Sequence, residues 1–193
     1  MDTKQGLPII AFASPAQWEE WLKEHHGTSK GVWLKFAKKG SGETTVTYLE
    51  ALDVALCHGW IDSQKGALDE TFFLQRFTPR GPRSKWSKIN QDKVEALGKA
   101  KRMRPAGLAE VEKARADGRW EAAYDGQRTI TVPEDLQKEL DANPKAAAFF
   151  ATLSSVNRYA ILYRIQDAKK PETRARRIEK FMGMLERGET VHG

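Results

Sequence analysis

The stretch at residues 31–38, GVWLKFAK, decides the fold class of the first half of the chain. Val32, Leu34 and Phe36 recur at every second position, while Trp33 begins the opposite face. A period of two is typical of a β-strand, because successive side chains in a strand point to opposite faces. The first half is therefore predicted to contain a sheet.

Capping signals on both sides of this strand predict helices. Ser14-Pro15-Ala16-Gln17 places a capping residue before a proline at the first helical position. Thr47 and Glu50 form a second capping box, and the helix that they start runs through Cys57 with apolar residues around most of its circumference. Such a helix is expected to be buried. Leu68–Phe77 is then predicted as a long central strand.

The second half of the chain is predicted to be almost wholly helical. Helix starts are expected near Asn90, Pro105, Pro133, Asn143 and Pro171, with one short extended piece at Thr129–Val132. The predicted fold class is α+β, with a small N-terminal antiparallel sheet and helices followed by a mostly α-helical C-terminal half. The predicted division is an α+β domain with a basic turn at residues 1–104 and a helical region at 105–193.

Length and composition limit the class of protein. The chain has 193 residues and one cysteine, Cys57, so an internal disulfide framework is excluded. The N-terminus lacks the features of a signal peptide, and no apolar segment approaches the roughly 20 residues of a membrane-spanning helix. We therefore expect a cytoplasmic protein without a membrane span. Its oligomeric state is not determined by the sequence.

Positive charge is concentrated in one window. Residues 74–104 contain ten Lys/Arg against Asp92 and Glu95, an excess of eight in a chain whose net charge is +6. A local basic field attracts phosphates, carboxylates or nucleic acid, although lysines alone are equally consistent with a solubilising helix face. Arg76, Arg80 and Arg83 flank a Gly/Pro turn, which favours a binding role for them.

The segment 58–90, HGWIDSQKGALDETFFLQRFTPRGPRSKWSKIN, contains the candidate ligand site. Arginines, hydroxyls and aromatic side chains on irregular backbone are typical of a pocket for an anionic ligand. The predicted ligand-binding residues are Trp60, Asp62, Ser63, Arg76, Arg80, Ser84 and Trp86.

Each of these residues has an expected role. Trp60 and Trp86 would form planar walls, Arg80 would make paired hydrogen bonds to the anion, and Asp62 would orient an arginine. Core packing of the tryptophans and a structural ion pair for Asp62 are the competing interpretations. The preferred hypothesis is therefore a binding protein for an anionic small molecule, without catalytic residues.

Two other classes of function stay open. In the first, Asp62 and Ser63, with His58 nearby in sequence, act on a phosphorylated or acylated substrate. In the second, the basic window with Phe77 and Trp86 binds nucleic acid, although no nucleic-acid-binding motif accompanies it. The histidines and Cys57 lack the spacing of a metal site, so no metal and no cofactor are predicted.

Several motifs resemble the YdeI/OmpD-associated family, also called bacteriocin-protection proteins. They are GWIDS at 59–63, RFTPRGPRSKWSKIN at 76–90, RMRPAGL at 102–108, the turn at 118–120 and AKKPETRARRIEK at 168–180. The resemblance implies a bacterial protein associated with tolerance of bacteriocins or antimicrobial peptides, and it supplies no catalytic residues. Because a chain of charge +6 repels cationic peptides, protection would be indirect.

The last motif opens a helix with the apolar stripe Ile178, Phe181, Met182 and Leu185. Arginines in a first helical turn oppose the helix dipole, so a carboxylate is expected nearby. We therefore expect Arg174 or Arg177 to join this helix to the rest of the chain, and more specifically to join the two halves; a solvated face or a contact with an acidic partner are the alternatives.

Overall fold

The computed structural model describes residues 2–193, and its sheet and helices follow the predicted order. The strands are β1 (Thr3–Lys4), β2 (Leu7–Ile10), β3 (Val32–Ala37), β4 (Trp60–Ala67) and β5 (Phe72–Pro79). The helices are α1 (Pro15–His25), α2 (Tyr48–Cys57), α3 (Lys88–Lys99), α4 (Pro105–Ala116), α5 (Glu134–Ala142), α6 (Pro144–Thr152), α7 (Ser155–Gln166) and α8 (Pro171–Glu186). The α+β class is confirmed.

The chain divides into two compact units. The first runs to Trp86 and also contains Asn90–Ala122, and the second contains Ser87–Ile89 and Ala123–Gly193. The predicted division between residues 104 and 105 falls inside the first unit. Between residues 2 and 193, every helix is too short or too polar to span a bilayer.

The sheet of the first unit is mixed rather than purely antiparallel. Its strand order is β1-β2-β3-β5-β4, and the pair β2–β3 is parallel while the other described neighbours are antiparallel. The reason is helix α1, which carries the chain from the end of β2 back to the start of β3, so that both strands run in the same direction.

Two predicted extended segments have other structures. Leu68–Phe77 is not one strand, because Asp69 Oδ1 accepts hydrogen bonds from the backbone N–H groups of Thr71 (2.9 Å) and Phe72 (2.7 Å) and turns the chain between β4 and β5. Thr129–Val132 is not a strand either. There the N–H groups of residues 129 and 130 both donate to Gly126 O, which forms a turn.

The register of the sheet separates its side chains onto two faces. Phe77 lies opposite Val32, and Arg76 lies opposite Trp33. Phe77 packs against Trp18 of α1, with ring centroids 5.9 Å apart, so its face is the one that the helices cover. Arg76 therefore projects from the other face, since neighbouring residues of a strand alternate.

Trp18 joins α1 to α2 and to the sheet. Its side chain is fully buried, and its Nε1 donates to Ala51 O at 3.1 Å. Its ring packs against that of Trp60, with the ring centroids 6.2 Å apart. Helix α1 starts where predicted, because Ser14 Oγ accepts a hydrogen bond from the N–H of Gln17. All six tryptophans of the chain lie in the first unit.

The second unit has its own apolar core, built from α5 to α8. Leu136 and Leu140 of α5, Ile161 of α7 and Phe181 and Leu185 of α8 are all almost completely buried in one cluster. The predicted stripe of α8 thus faces inward. Burial of this stripe against three other helices provides most of the stability of the unit, because isolated helices of this length are marginal in water.

Arg174 fastens α8 to α5. Its Nε and Nη2 donate to the carboxylate of Asp135 at 2.5 and 2.8 Å, and its Nη1 donates to Ile165 O at 2.9 Å. Arg177 donates to Arg164 O. A carboxylate tie by Arg174 was expected, but the expectation that it joins the two halves was wrong, since Asp135 lies in the same unit.

We expect Arg174→Gln to lower the free energy of unfolding by about 1–2 kcal/mol, because the bidentate, charge-assisted hydrogen bonds between α8 and α5 are lost. Arg176→Gln on the exposed side of the same helix is the matched control and should change stability by less than about 0.5 kcal/mol. Urea denaturation of both variants measures the difference. Equal stabilities would show that the Arg174 contact contributes nothing.

Candidate functional site

His58 lies at the junction between α2 and β4, and it is only 4% exposed. The helix ends there because Gly59 adopts φ +74°, a left-handed conformation that favours glycine. Arg104 N donates to Cys57 O at 3.1 Å, and Arg80 N donates to Gly59 O at 3.0 Å. The starts of α4 and of the basic turn are thus both fixed to this junction.

Two glycines allow α4 to approach the junction at backbone distance. A β-carbon at Gly107 would lie 2.2 Å from Cys57 O, and one at Gly59 would lie 2.9 Å from Ala106 O. Neither position has room for a side chain without movement of the backbone. The close approach places Ala106, Ala109 and Glu110 of α4 beside His58.

A cavity of about 180 Å³ opens beside this contact. His26, His58, Arg80, Glu110 and Lys113 supply its polar groups. A neighbouring cavity of about 340 Å³ shares Arg80, Glu110 and Lys113 with it. Both belong entirely to the first unit, and we call the pair the His58 cleft.

The buried imidazole of His58 is neutral at physiological pH. Burial, and next the nearby His26, lower its pKa from 6.5 to about 4. Its Nε2 is buried and has no hydrogen-bond partner among the described residues. An unsatisfied buried nitrogen costs about 1–3 kcal/mol. His58, which lines the cleft, therefore contains a buried nitrogen without a compensating hydrogen bond.

The second imidazole of the cleft has a defined tautomer. His26 Nδ1 lies 2.8 Å from Leu22 O. A carbonyl oxygen only accepts, so the hydrogen of this contact is on Nδ1. Its ring centroid lies 5.6 Å from that of His58.

The thiol of Cys57 is not a nucleophile here. It is buried, and burial raises its pKa to about 11, so that the thiol stays protonated at neutral pH.

The basic turn is packed inward at Arg80. The guanidinium carbon of Arg80 lies 3.5 Å from the ring centroid of Trp86, its Nη1 donates to Lys85 O at 3.1 Å, and the residue is 6% exposed. Ser84 Oγ accepts from Gly81 N at 2.9 Å, and Ser84 O accepts from Arg119 at 3.1 Å. The predicted residues Arg80, Ser84 and Trp86 are thus brought together, and Arg80 alone of the three lines the cleft.

The other predicted site residues are distributed around the sheet. Trp60 is buried in the core, is one of the residues that line the cleft, and donates its Nε1 hydrogen to His26 O at 3.1 Å. Asp62 accepts a hydrogen bond of 2.9 Å from Tyr48, and exposed Ser63 donates to Arg76 O at 3.5 Å. Asp62 pairs in register with Phe77, so it projects from the face opposite Arg76 and does not orient that arginine.

Three residues of the cleft, His26, Glu110 and Lys113, are not predicted from the sequence. His26 is considered from the sequence only as a possible metal ligand, and Glu110 and Lys113 fall in the helix that is predicted to begin near Pro105. One available signal was Gly107, because a glycine inside a helical pattern indicates close packing against another segment.

Two family models match separate parts of the chain. Residues 10–110 match a domain of unknown function (DUF8412). Residues 129–188 match the family described as bacteriocin-protection, YdeI or OmpD-associated. No curated protein and no solved structure gives a significant match. The motif at 168–180 lies inside the second match, whereas those at 59–63, 76–90 and 102–108 lie inside the first.

We expect Gly107→Ala to destabilise the first unit by about 3 kcal/mol, because the added methyl group overlaps Cys57 O and the backbone must shift. Gly98→Ala in α3 is the matched control. Nothing lies within 4 Å of its added β-carbon, so it should stabilise the helix by about 0.5–1 kcal/mol. Thermal unfolding of both variants tests the opposite signs, and a tolerated Gly107→Ala would contradict the backbone contact.

Stability should fall as the pH drops from about 6.5 to about 4. In this window unfolded His58 binds a proton, whereas folded His58, with its pKa of about 4, does not. The unfolded state therefore binds more protons, and acid favours it. Urea denaturation between pH 4 and 7 measures the slope. His58→Gln should flatten it, while His192→Gln, in the exposed tail, should leave it unchanged.

Proposed function

We propose, for a chain that belongs to the family of the domain of unknown function DUF8412, that the His58 cleft binds a small anionic molecule. The second part of the chain matches the bacteriocin-protection, YdeI or OmpD-associated family. The ligand carries a carboxylate or phosphate together with a hydrogen-bonding group. The role in bacteriocin protection would then be indirect, through a metabolite that the protein binds in the cytoplasm.

The observation that carries this proposal is the unsatisfied, buried Nε2 of His58. Buried polar atoms are nearly always hydrogen-bonded, and an exception needs an explanation. A ligand group that reaches the cleft would satisfy this nitrogen. The gain would be larger than at an exposed atom, since the nitrogen is already desolvated.

The charged lining of the cleft has a small positive excess that favours an anion, since it contains the cations Arg80, Lys113 and Arg119 and the carboxylates Glu110 and Asp117. Arg80 presents a guanidinium that its stacking on Trp86 holds in place, so that little conformational entropy is lost on binding. Lys113 pairs with Glu110 at 2.7 Å, but its side chain is 66% exposed. Exposed pairs of this kind contribute little, and Lys113 is free to turn toward an anionic ligand.

The enzyme hypothesis receives less support from this geometry. Asp62 and Ser63 line neither part of the His58 cleft. Asp62 is engaged by Tyr48, and the hydroxyl of Ser63 donates to a backbone carbonyl. The proposal therefore places ligand recognition at His58, Arg80 and Lys113 and assigns no reaction to the site.

Titration with inorganic phosphate and with citrate, followed by NMR of the imidazole nitrogens, tests the proposal. We expect a saturable shift of the His58 Nε2 signal. Lys113→Gln should weaken binding about tenfold, because a charge-assisted contact worth about 1.5 kcal/mol is removed. Arg80→Met, which keeps an apolar stem on Trp86, should abolish it.

Lys99→Gln is the control, because Lys99 is exposed on α3 in the same unit and lies outside the cleft. It removes the same charge and should leave the affinity unchanged. A His58 signal that moves linearly without saturation, or an equal loss in Lys99→Gln and Lys113→Gln, would mean nonspecific attraction by surface charge and would refute the proposal.

A further inference from the structure

The sheet of the first unit has a second face, opposite to the one on which α1 packs. Trp33 and Arg76 pair across β3 and β5 and lie on this second face, because Phe77, which follows Arg76, packs against Trp18 of α1. Lys35 is two residues after Trp33 in β3 and therefore projects from the same side. We call the side that contains Trp33, Lys35 and Arg76 the Trp33 face.

The strands supply the Trp33 face with cations and with no carboxylate. The five strands contain the cationic residues Lys4, Lys35, Lys65 and Arg76 and one carboxylate, that of Asp62. Asp62 pairs in register with Phe77, so it lies on the face that α1 covers, and there it accepts a hydrogen bond from Tyr48. The Trp33 face is thus positively charged.

Two cations of this face rest on aromatic rings. Lys4 Nζ lies 4.9 Å from the ring centroid of Trp33, and Lys35 Nζ lies 3.9 Å from that of Phe72. A β-carbon at Gly66 would lie only 2.8 Å from Lys4 Nζ, so the glycine leaves room for the ammonium group. Within residues 2–193, neither lysine forms an ion pair. Their charges are therefore held at the sheet without compensation.

Two buried donors of the Trp33 face lack an acceptor. Trp33 is only 1% exposed, and its Nε1 has no hydrogen-bond partner among the described residues. The Nε of half-buried Arg76, directly opposite in the sheet, is in the same situation. Buried polar atoms are nearly always hydrogen-bonded, so two exceptions in one cross-strand pair indicate an acceptor from outside the chain. Both groups only donate and one is cationic, so an oxyanion suits them best.

The distribution of the cations favours a polyanion over a single small ion. Trp33 and Lys35 are about 7 Å apart along β3, whereas Lys4 reaches the face from β1. A chain of phosphates can contact all of these positions together. None of the exposed large apolar residues belongs to the five strands, so the face has no apolar group to insert into a lipid bilayer.

We propose that the Trp33 face binds the phosphate backbone of a single-stranded nucleic acid. Arg76 and the indole N–H of Trp33 would bind one phosphate, with Lys4 as a second cation. Lys35 would meet a neighbouring phosphate, and the half-buried ring of Phe72 beside it offers a surface on which a base can stack. A flexible single strand can follow a flat sheet in this way, because its bases are free to turn toward the protein.

Fluorescence anisotropy of a labelled oligothymidylate of about 15 nucleotides, measured with the full chain at several salt concentrations, tests this proposal. We expect saturable binding in which log K falls with log salt with a slope of about −2, since three phosphate contacts each contribute about 0.7. Arg76→Gln and Lys35→Gln should each weaken binding about fivefold at low salt and reduce the slope by about 0.7.

The indole N–H signal of Trp33 in proton–nitrogen NMR provides a second measurement. We expect it to shift saturably during titration with the unlabelled oligonucleotide, because the donor gains an acceptor. Inorganic phosphate at the same phosphate concentration should not reproduce the shift. The described lining of the His58 cleft contains no residue of the Trp33 face, so failure here would leave the anion site in that cleft unaffected.

Lys65→Gln is the matched control, since Lys65 pairs with Gln75 and lies on the opposite face of the same sheet. Lys99→Gln removes a charge from the basic window at residues 74–104. Both variants should bind the oligonucleotide as the unmodified chain does. An equal loss in either control, unchanged binding in Arg76→Gln, or a Trp33 signal that stays in place would overturn the proposal. Complete competition by inorganic phosphate at equal phosphate concentration would also overturn it, in favour of a site for free oxyanions.

Discussion

The contact between Gly107 and the carbonyl of Cys57 is the constraint on which the architecture of the first unit depends. A β-carbon at Gly107 would lie only 2.2 Å from Cys57 O, so α4 contacts the α2–β4 junction with its backbone rather than with side chains. Interiors are packed at nearly crystalline density, so even one methyl group changes such a contact. The contact explains how His58 is buried without a partner for its Nε2. Helix α4 covers the junction with Ala106 and Ala109, while its polar side chains beside His58, Glu110 and Lys113, pair with each other.

Arginine side chains of this protein have two roles, in helix packing and at the edge of the cleft. Arg174 closes a gap between helices, and Arg80 covers the indole of Trp86 while its guanidinium stays at the edge of the cleft. The same side-chain type therefore serves packing and recognition, because its long stem is apolar and its planar end is charged. Inward packing of Arg80 does not exclude ligand binding. It limits the conformations that the guanidinium adopts and so reduces the entropy lost when an anion binds.

Most of the secondary structure could be predicted from local sequence. The capping box at Thr47 and the alternation from Val32 to Phe36 act through nearest neighbours, and both predictions are confirmed. The parallel pairing of β2 with β3 could not be predicted, since it depends on where α1 returns the chain. The turn at Asp69 was missed because apolar residues on both sides of it gave one continuous strand-like pattern.

The candidate site was predictable only in part, for a related reason. A sequence segment such as 58–90 gathers residues that the strands then distribute to opposite faces, as with Asp62 and Arg76. His26 and Lys113 reach the cleft from helices far away in sequence, and no local pattern predicts that they meet. The placement of Arg174 opposite a carboxylate was predictable because it follows from the helix dipole; the identity of Asp135 required the packing of α8 on α5.

The confinement of all six tryptophans to the first unit gives the molecule a built-in optical label. Indole emission comes from the first unit alone. The second unit contains three tyrosines, Tyr124, Tyr159 and Tyr163, and no tryptophan. Excitation at the red edge, where tyrosine does not absorb, therefore reports on one unit, and helical circular dichroism reports on both. Melting curves recorded with the two signals coincide only if the units lose their structure together, so their separation measures the cooperativity between the units directly.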